Sequence, residues 1–229
     1  MSDFEELEKF LLARGYISAE ALNESKPYFK IAHDCIYSIL IWDHKLEYTD
    51  NKIVYLKDLI SDGLQAIPVF ALGFKKPGYL LLRGCIESLL KHIYYFDHPI
   101  EYALLPLEPK SYLTVKELFN YVRNHPKFRT FEYVDSFLDS LTNLYFELSK
   151  KLHSTNPYNL EMLESLELLR YDKNVSEYFS KALSVIVGFV NGQLIIFHGD
   201  EFRAFQQEYK TVIISTVPKR FRRALCRYY

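Results

Sequence analysis

A histidine, a serine and two lysines crowd the stretch Tyr145-Phe-Glu-Leu-Ser-Lys-Lys-Leu-His153. Ser149 and His153 are four apart, so on a helix they share a face, with Lys150 and Lys151 beside them. Imidazole moves protons near neutrality and ammonium groups neutralise phosphate charge, so the grouping suits phosphodiester chemistry. A histidine at a helix end is equally at home as a cation facing the negative pole of the dipole. Spacing alone leaves both readings open.

Arg83 and Glu87 are four apart in Leu82-Arg-Gly-Cys-Ile-Glu-Ser-Leu-Leu90. A carboxylate so placed can orient a guanidinium whose fork then grips a phosphate, or the two form an ordinary surface ion pair. Asp97-His98-Pro99 with Glu101 ends the same segment, and His98 is a weaker candidate for phosphate contact. It lies about 20 Å along a helix from Arg83, too far for one small site. Near the end of the chain, Lys219, Arg220, Arg222 and Arg223 alternate with Phe221 and Leu225. That pattern can follow a phosphate backbone and stack a base, or it can be a solvated helix with its apolar side docked. The seven histidines do not pair at metal-binding spacing, and HExxH, glycine phosphate loops and GxSxG are missing. No metal or cofactor is therefore expected.

These side chains must be held by helices. Leu141, Leu144, Leu148 and Leu152 recur at helical spacing, predicting a long amphipathic helix from about 131 to 153 that Ser154-Thr-Asn-Pro157 stops. Leu82, Ile86, Leu89 and Ile93 predict a second helix over 79–96 carrying Arg83 and Glu87. Ser2 and Glu5 have capping-box spacing for a first helix ending near Gly15. A short helix is expected after Ser18, then a longer one opened by Pro27, and another from about Lys52 that Gly63 and Pro68 put in question. Lys75-Lys-Pro-Gly78 reads as a break, and 99–110 as an irregular connection. Thr114 and Glu117 form another capping box. Helices are expected over 159–171, 175–197 and 200–210, with Thr211–Val217 either a short strand or the end of the last. No alternating pattern persists, so the fold class is all-α, a single bundle-like domain over 1–229.

Composition agrees with a packed core: 19 Tyr and 17 Phe stand against 8 Gly and 9 Pro in 229 residues. A net charge of −1 carries no global signal for nucleic acid. Three distant cysteines fit buried or free thiols and a reducing, cytoplasmic setting. The start of the chain does not read as a signal peptide. The apolar run 182–197 is short and interrupted by Asn191-Gly-Gln193, so it is expected to be a core helix and no membrane partner is expected.

Taken together, Leu82-Arg83-Gly-Cys-Ile-Glu87, Asp97-His98-Pro99-Ile-Glu101 and Tyr145-Phe-Glu-Leu-Ser149-Lys-Lys-Leu-His153-Ser154 resemble the HEPN-type helical domains of bacterial abortive-infection and other anti-phage proteins. The resemblance covers about 79–156, with extra helices over 1–75 and 157–229. It implies a helical up-and-down bundle, a homodimer or hetero-complex with a partner protein, and metal-independent cleavage of RNA. In that chemistry His153 would be the acid/base, Arg83 the stabiliser of phosphorane charge and Glu87 its orienter. Ser149, Lys150, Lys151, His98 and the basic tail would be phosphate contacts. The family motif also carries an arginine separated from its histidine by four to six intervening residues, where this chain has Phe146, Glu147 and Leu148. The cation must then come from Arg83, a lysine or a second subunit. The alternative is a noncatalytic module that binds a partner protein or nucleic acid.

Overall fold

The computed structural model describes residues 3–46, 54–107, 113–153, 164–165 and 170–226, and all its regular elements are α-helices. In chain order they are α1 (Asp3–Ala13), α2 (Ala19–Leu46), α3 (Val54–Ala71), α4 (Lys75–Asp97), α5 (Pro99–Leu104), α6 (Val115–Asn124), α7 (Pro126–Arg129), α8 (Val134–His153), α9 (Lys173–Phe197), α10 (Gly199–Ala204), α11 (Gln207–Thr216) and α12 (Lys219–Leu225). The expected Ser2 cap, the stop at 154–157 and most of the helix over 159–171 lie outside the described residues.

Helix α9 is the axis of the bundle. Leu183, Ile186, Val187, Phe189, Val190, Leu194 and Ile195 are all buried, so it is apolar around its whole circumference, as a core helix must be. It is long and apolar enough by composition to cross a membrane, yet 83% of its most apolar window is covered by the rest of the protein. Asp172 caps its start by accepting from the Asn174 and Val175 amides, and also pairs with Lys75. Helices α2, α3, α4, α8, α11 and α12 pack around it.

Polar pins fix the layers. Trp42 Nε1 of α2 donates to Asn191 Oδ1 of α9 at 3.0 Å. The Asn191 amide nitrogen donates in turn to Ser38 Oγ and to Thr216 Oγ1 of α11. All the partners are satisfied, which is the condition for burying such groups. Beside this junction on α9, Gly188 lies against Pro218 and the Thr216 carbonyl, and Gly192 lies against the Phe137 ring of α8. A Cβ at Gly192 would stand 2.9 Å from that ring, so the bare backbone sets how closely α8 approaches.

Several boundaries differ from the sequence expectation, and packing explains each difference. Pro27 does not open a helix; it lies inside α2, which runs through from Ala19. Proline removes one backbone hydrogen bond, but burial of Leu22, Ser25, Phe29 and Ala32 on both sides of it holds the helix together. Pro68 is likewise internal to α3. The break before α4 falls at Gly73, at φ +83°, and Pro77 sits in the first turn of α4, where a missing N–H costs nothing. The connection after Asp97 contains the short α5 in place of irregular chain. Two helices, α10 and α11, lie within 199–217, so the β-branched run is helical through Thr216 and Val217 is the extended residue that ends α11, with Ile213 and Val217 buried. The Thr114/Glu117 capping box forms as expected, and Gly15 follows α1 at φ +68°.

Candidate functional site

Helices α3 and α4 form an antiparallel pair, and α8 packs along the other flank of α4. Leu82, Ile86, Leu89 and Ile93 turn inward from α4, which leaves Arg83 and Glu87 on the seam facing α8. On α8, the buried row Leu141, Leu144 and Leu148 turns Tyr145 into the same seam. His153, in the last turn, is exposed at its edge.

Arg83 Nε donates to Glu87 Oε1 at 2.9 Å and to the Tyr145 hydroxyl at 3.1 Å. The Tyr145 hydroxyl donates to the same Glu87 oxygen at 3.0 Å, closing a triangle. The guanidinium carbon also stands 5.1 Å from the centre of the Tyr145 ring. Arginine before glutamate at this spacing is the weaker order on an isolated helix. Here a third group from another helix makes the pair part of an interhelical junction. Burial works against the charge of Arg83, but Tyr145 and Glu87 outweigh it and hold the guanidinium above its ordinary pKa. Tyr145 is also raised, first by burial and then by Glu87, with Arg83 opposing.

With Nε committed, the N–H groups on the two terminal nitrogens of Arg83 remain. Nη1 stands 3.4 Å from His153 Nε2, at the outer limit of a hydrogen bond. Arginine only donates, so in this geometry Nε2 of His153 accepts and its proton sits on Nδ1. Arg83, Glu87 and His153 therefore meet at one solvent-facing edge, although 70 positions separate the arginine from the histidine.

Two members of this neighbourhood escape the sequence. Tyr145 lies two turns before His153, in the stripe that Ser149 continues, but nothing in its type marks it as the link between arginine and glutamate. Asp62 of α3 reaches over Gly84, where a Cβ would fall 2.1 Å from its Oδ2. Burial, reinforced by Asp58 and Glu87, raises the Asp62 carboxyl to about 6. Asp58 accepts from Ser88 Oγ at 2.6 Å. The guanidinium thus has Glu87 and Tyr145 behind it and the His153 imidazole at its open end, while Asp62 feels the charge of Glu87 from α3.

The other candidates are placed elsewhere or otherwise employed. Ser149 Oγ is buried beside the seam with no hydrogen-bond partner among the described residues, and Lys150 is exposed. Lys151 points to the far flank of α8, where its ammonium sits 4.6 Å from the Tyr178 ring, 5.2 Å from the Tyr79 ring and 3.7 Å from Glu147. It clamps α8 to α4 and α9 and faces away from His153. His98 donates from Nδ1 to the Tyr94 carbonyl at 2.7 Å and stacks on the Tyr94 ring at 4.1 Å, at the opposite end of α4. Arg222 donates to the Ser215 and Val217 carbonyls and caps α11, while Lys219, Arg220 and Arg223 are exposed.

A second histidine–carboxylate pair near His98 was not legible. His125 donates from Nε2 to Asp97 at 2.7 Å, and its Nδ1 accepts from the Lys127 amide at 3.2 Å. Both ring nitrogens are committed, so His125 caps α7 and has no lone pair to offer. The pair borders a groove of about 450 Å³ lined by Tyr94, Glu117, Asn120 and Tyr121. Among the described residues no group of three metal-ligating side chains converges.

Compared with family profiles, curated proteins and solved structures, the chain has no significant match.

Proposed function

We propose that the protein is a HEPN-like ribonuclease of the abortive-infection type, working without a metal on the α4–α8 edge. One observation carries the reading: Arg83 Nη1 faces His153 Nε2 at 3.4 Å, while Glu87 and Tyr145 hold the guanidinium from behind. An unprotonated Nε2 can take the proton of a ribose 2′-hydroxyl as that oxygen attacks phosphorus. The imidazolium then returns a proton to the departing 5′-oxygen, leaving a 2′,3′-cyclic phosphate. Arg83, fixed before the substrate arrives, meets the charge that builds on the phosphorane oxygens. It fills the role of the arginine that α8 lacks at Phe146, Glu147 and Leu148. The reading includes assembly as a homodimer or with a partner protein, which can bring a second cation to the exposed His153 edge.

The test is cleavage of RNA by purified protein in EDTA. Cyclic-phosphate ends are expected, with His153→Ala slower by about 10²–10⁴-fold and Arg83→Ala slower by about 10²–10³-fold. Wild-type-like cleavage by the histidine variant removes the assignment.

A second reading is a noncatalytic nucleic-acid binder, favoured by the exposed Lys219, Arg220 and Arg223 of α12. It predicts salt-sensitive RNA retention that survives His153→Ala but falls when these three are replaced together.

A further inference from the structure

Phe146 is an anomaly on α8. Its neighbours Leu144, Tyr145 and Leu148 are buried, but Phe146 itself is 58% exposed, and among the described residues its ring neighbour is Tyr145, edge-on with the ring centres 6.1 Å apart. Its place on the helix is informative. Phe146, Lys150 and His153 follow one another at spacings of four and three, so all three project from one stripe. The stripe spans about 10 Å at ~1.5 Å per residue. All three are exposed, and among the described residues Lys150 makes no ion pair. An aromatic face, a solvated cation and the imidazole beside Arg83 thus stand in line at the open side of the seam.

We infer that Phe146 and Lys150 form a nucleotide subsite: Phe146 stacks the base of a nucleotide next to the scissile bond, and Lys150 holds its phosphate. This rests on the ribonuclease reading. The chemistry selects the occupant. A bare phenyl ring offers stacking but no hydrogen bond, so it takes any base whose face is free and cannot read its edge. In a duplex those faces are already stacked. The subsite therefore admits single strands, loops and ends, with little preference for base identity, and it excludes paired RNA. Lys150, a mobile point charge one turn away, adds an electrostatic contact that salt weakens.

The experiment measures fluorescence anisotropy of a short single-stranded oligoribonucleotide carrying 2′-O-methyl groups, which cannot be cut by 2′-hydroxyl attack. A blunt duplex of the same sequence is the comparison. Phe146→Ala is expected to weaken single-strand binding about tenfold or more, the scale of one lost base stack. Phe146→Trp should bind as tightly as wild type or tighter, and the duplex should bind weakly with no dependence on position 146. Lys150→Ala should lower the slope of log K against log salt by about 0.7, one phosphate contact on a single strand. Equal binding by wild type and Phe146→Ala overturns the subsite. So does a change in sedimentation mass for Phe146→Ala, which would mean that a second copy covers the ring. Cleavage of unmodified RNA separates the two claims. Phe146-dependent binding without cleavage sinks the nuclease and keeps the subsite. Cleavage whose kcat/KM ignores Phe146 does the reverse.

Discussion

Tyr145 holds the seam together through a single oxygen, which accepts from Arg83 and donates to Glu87. Tyr145→Phe keeps the ring packing and deletes only those bonds. It should cost about 1.5–3 kcal/mol in urea denaturation, the range for hydrogen bonds to charged groups. If Arg83 acts on the reaction, the same variant should lower kcat more than it raises KM, because a misaimed guanidinium still attracts RNA. Asp62 gives a pH signature of its own. Its folded pKa, about 6, is above the ordinary value of 3.8, so between those values the folded protein holds a proton that the unfolded chain has released. That contribution is fully present below about pH 4 and is lost as pH rises through about 6. Asp62→Asn should therefore raise the melting temperature more at about pH 7 than at about pH 4. An equal gain at both would show that the carboxylate is better solvated than its position over Gly84 implies.

At the scale of elements, His198 is the counterpart with the opposite sign. It ends α9 buried against Trp42 and Phe96, and burial, helped by Lys127, lowers its pKa to about 4. Below its ordinary value of 6.5 the unfolded chain binds a proton that the folded protein refuses. Stability from this group is thus present above about 6.5 and lost as pH falls towards 4. His198→Gln should flatten the acid limb of a pH–melting curve, leaving the Asp62 limb in place. Helix ends and stripes were the legible part of the fold. The Thr114/Glu117 box, the inward row of α4 and the leucines of α8 follow from spacing alone, because caps and amphipathic faces are local. Pro27 and Pro68 misled because the decision there is tertiary. A proline ends an isolated helix, but not one whose two halves are both buried in the same core. In the site, spacing put Arg83 with Glu87 and Ser149 with His153. Only the packing of α4 on α8 could join those pairs, and only the fold of α3 over Gly84 could add Asp62.

At the scale of the whole molecule, one buried polar junction ties α2, α9 and α11 together. Asn191 satisfies Trp42, Ser38 and Thr216 at once, so Asn191→Ala should strand a buried indole N–H and cost about 1–3 kcal/mol from that group alone. The loss should appear as a shift of the denaturation midpoint with an unchanged slope, since the folded state keeps its surface. The same central helix decides what kind of object the basic C-terminal segment is. Gly192 and Gly188 leave room for Leu225 and Pro218 to lie against the α9 backbone, and Phe221 is buried against Phe131 and Phe137. Arg222 is spent on capping α11. Lys219, Arg220 and Arg223 are therefore carried on a fixed plate, unlike the charges of a loose arm. A polyanion that meets them finds its cations already in place, and the backbone ordering of about 1–2 kcal/mol per residue that a disordered arm surrenders on binding has been settled during folding.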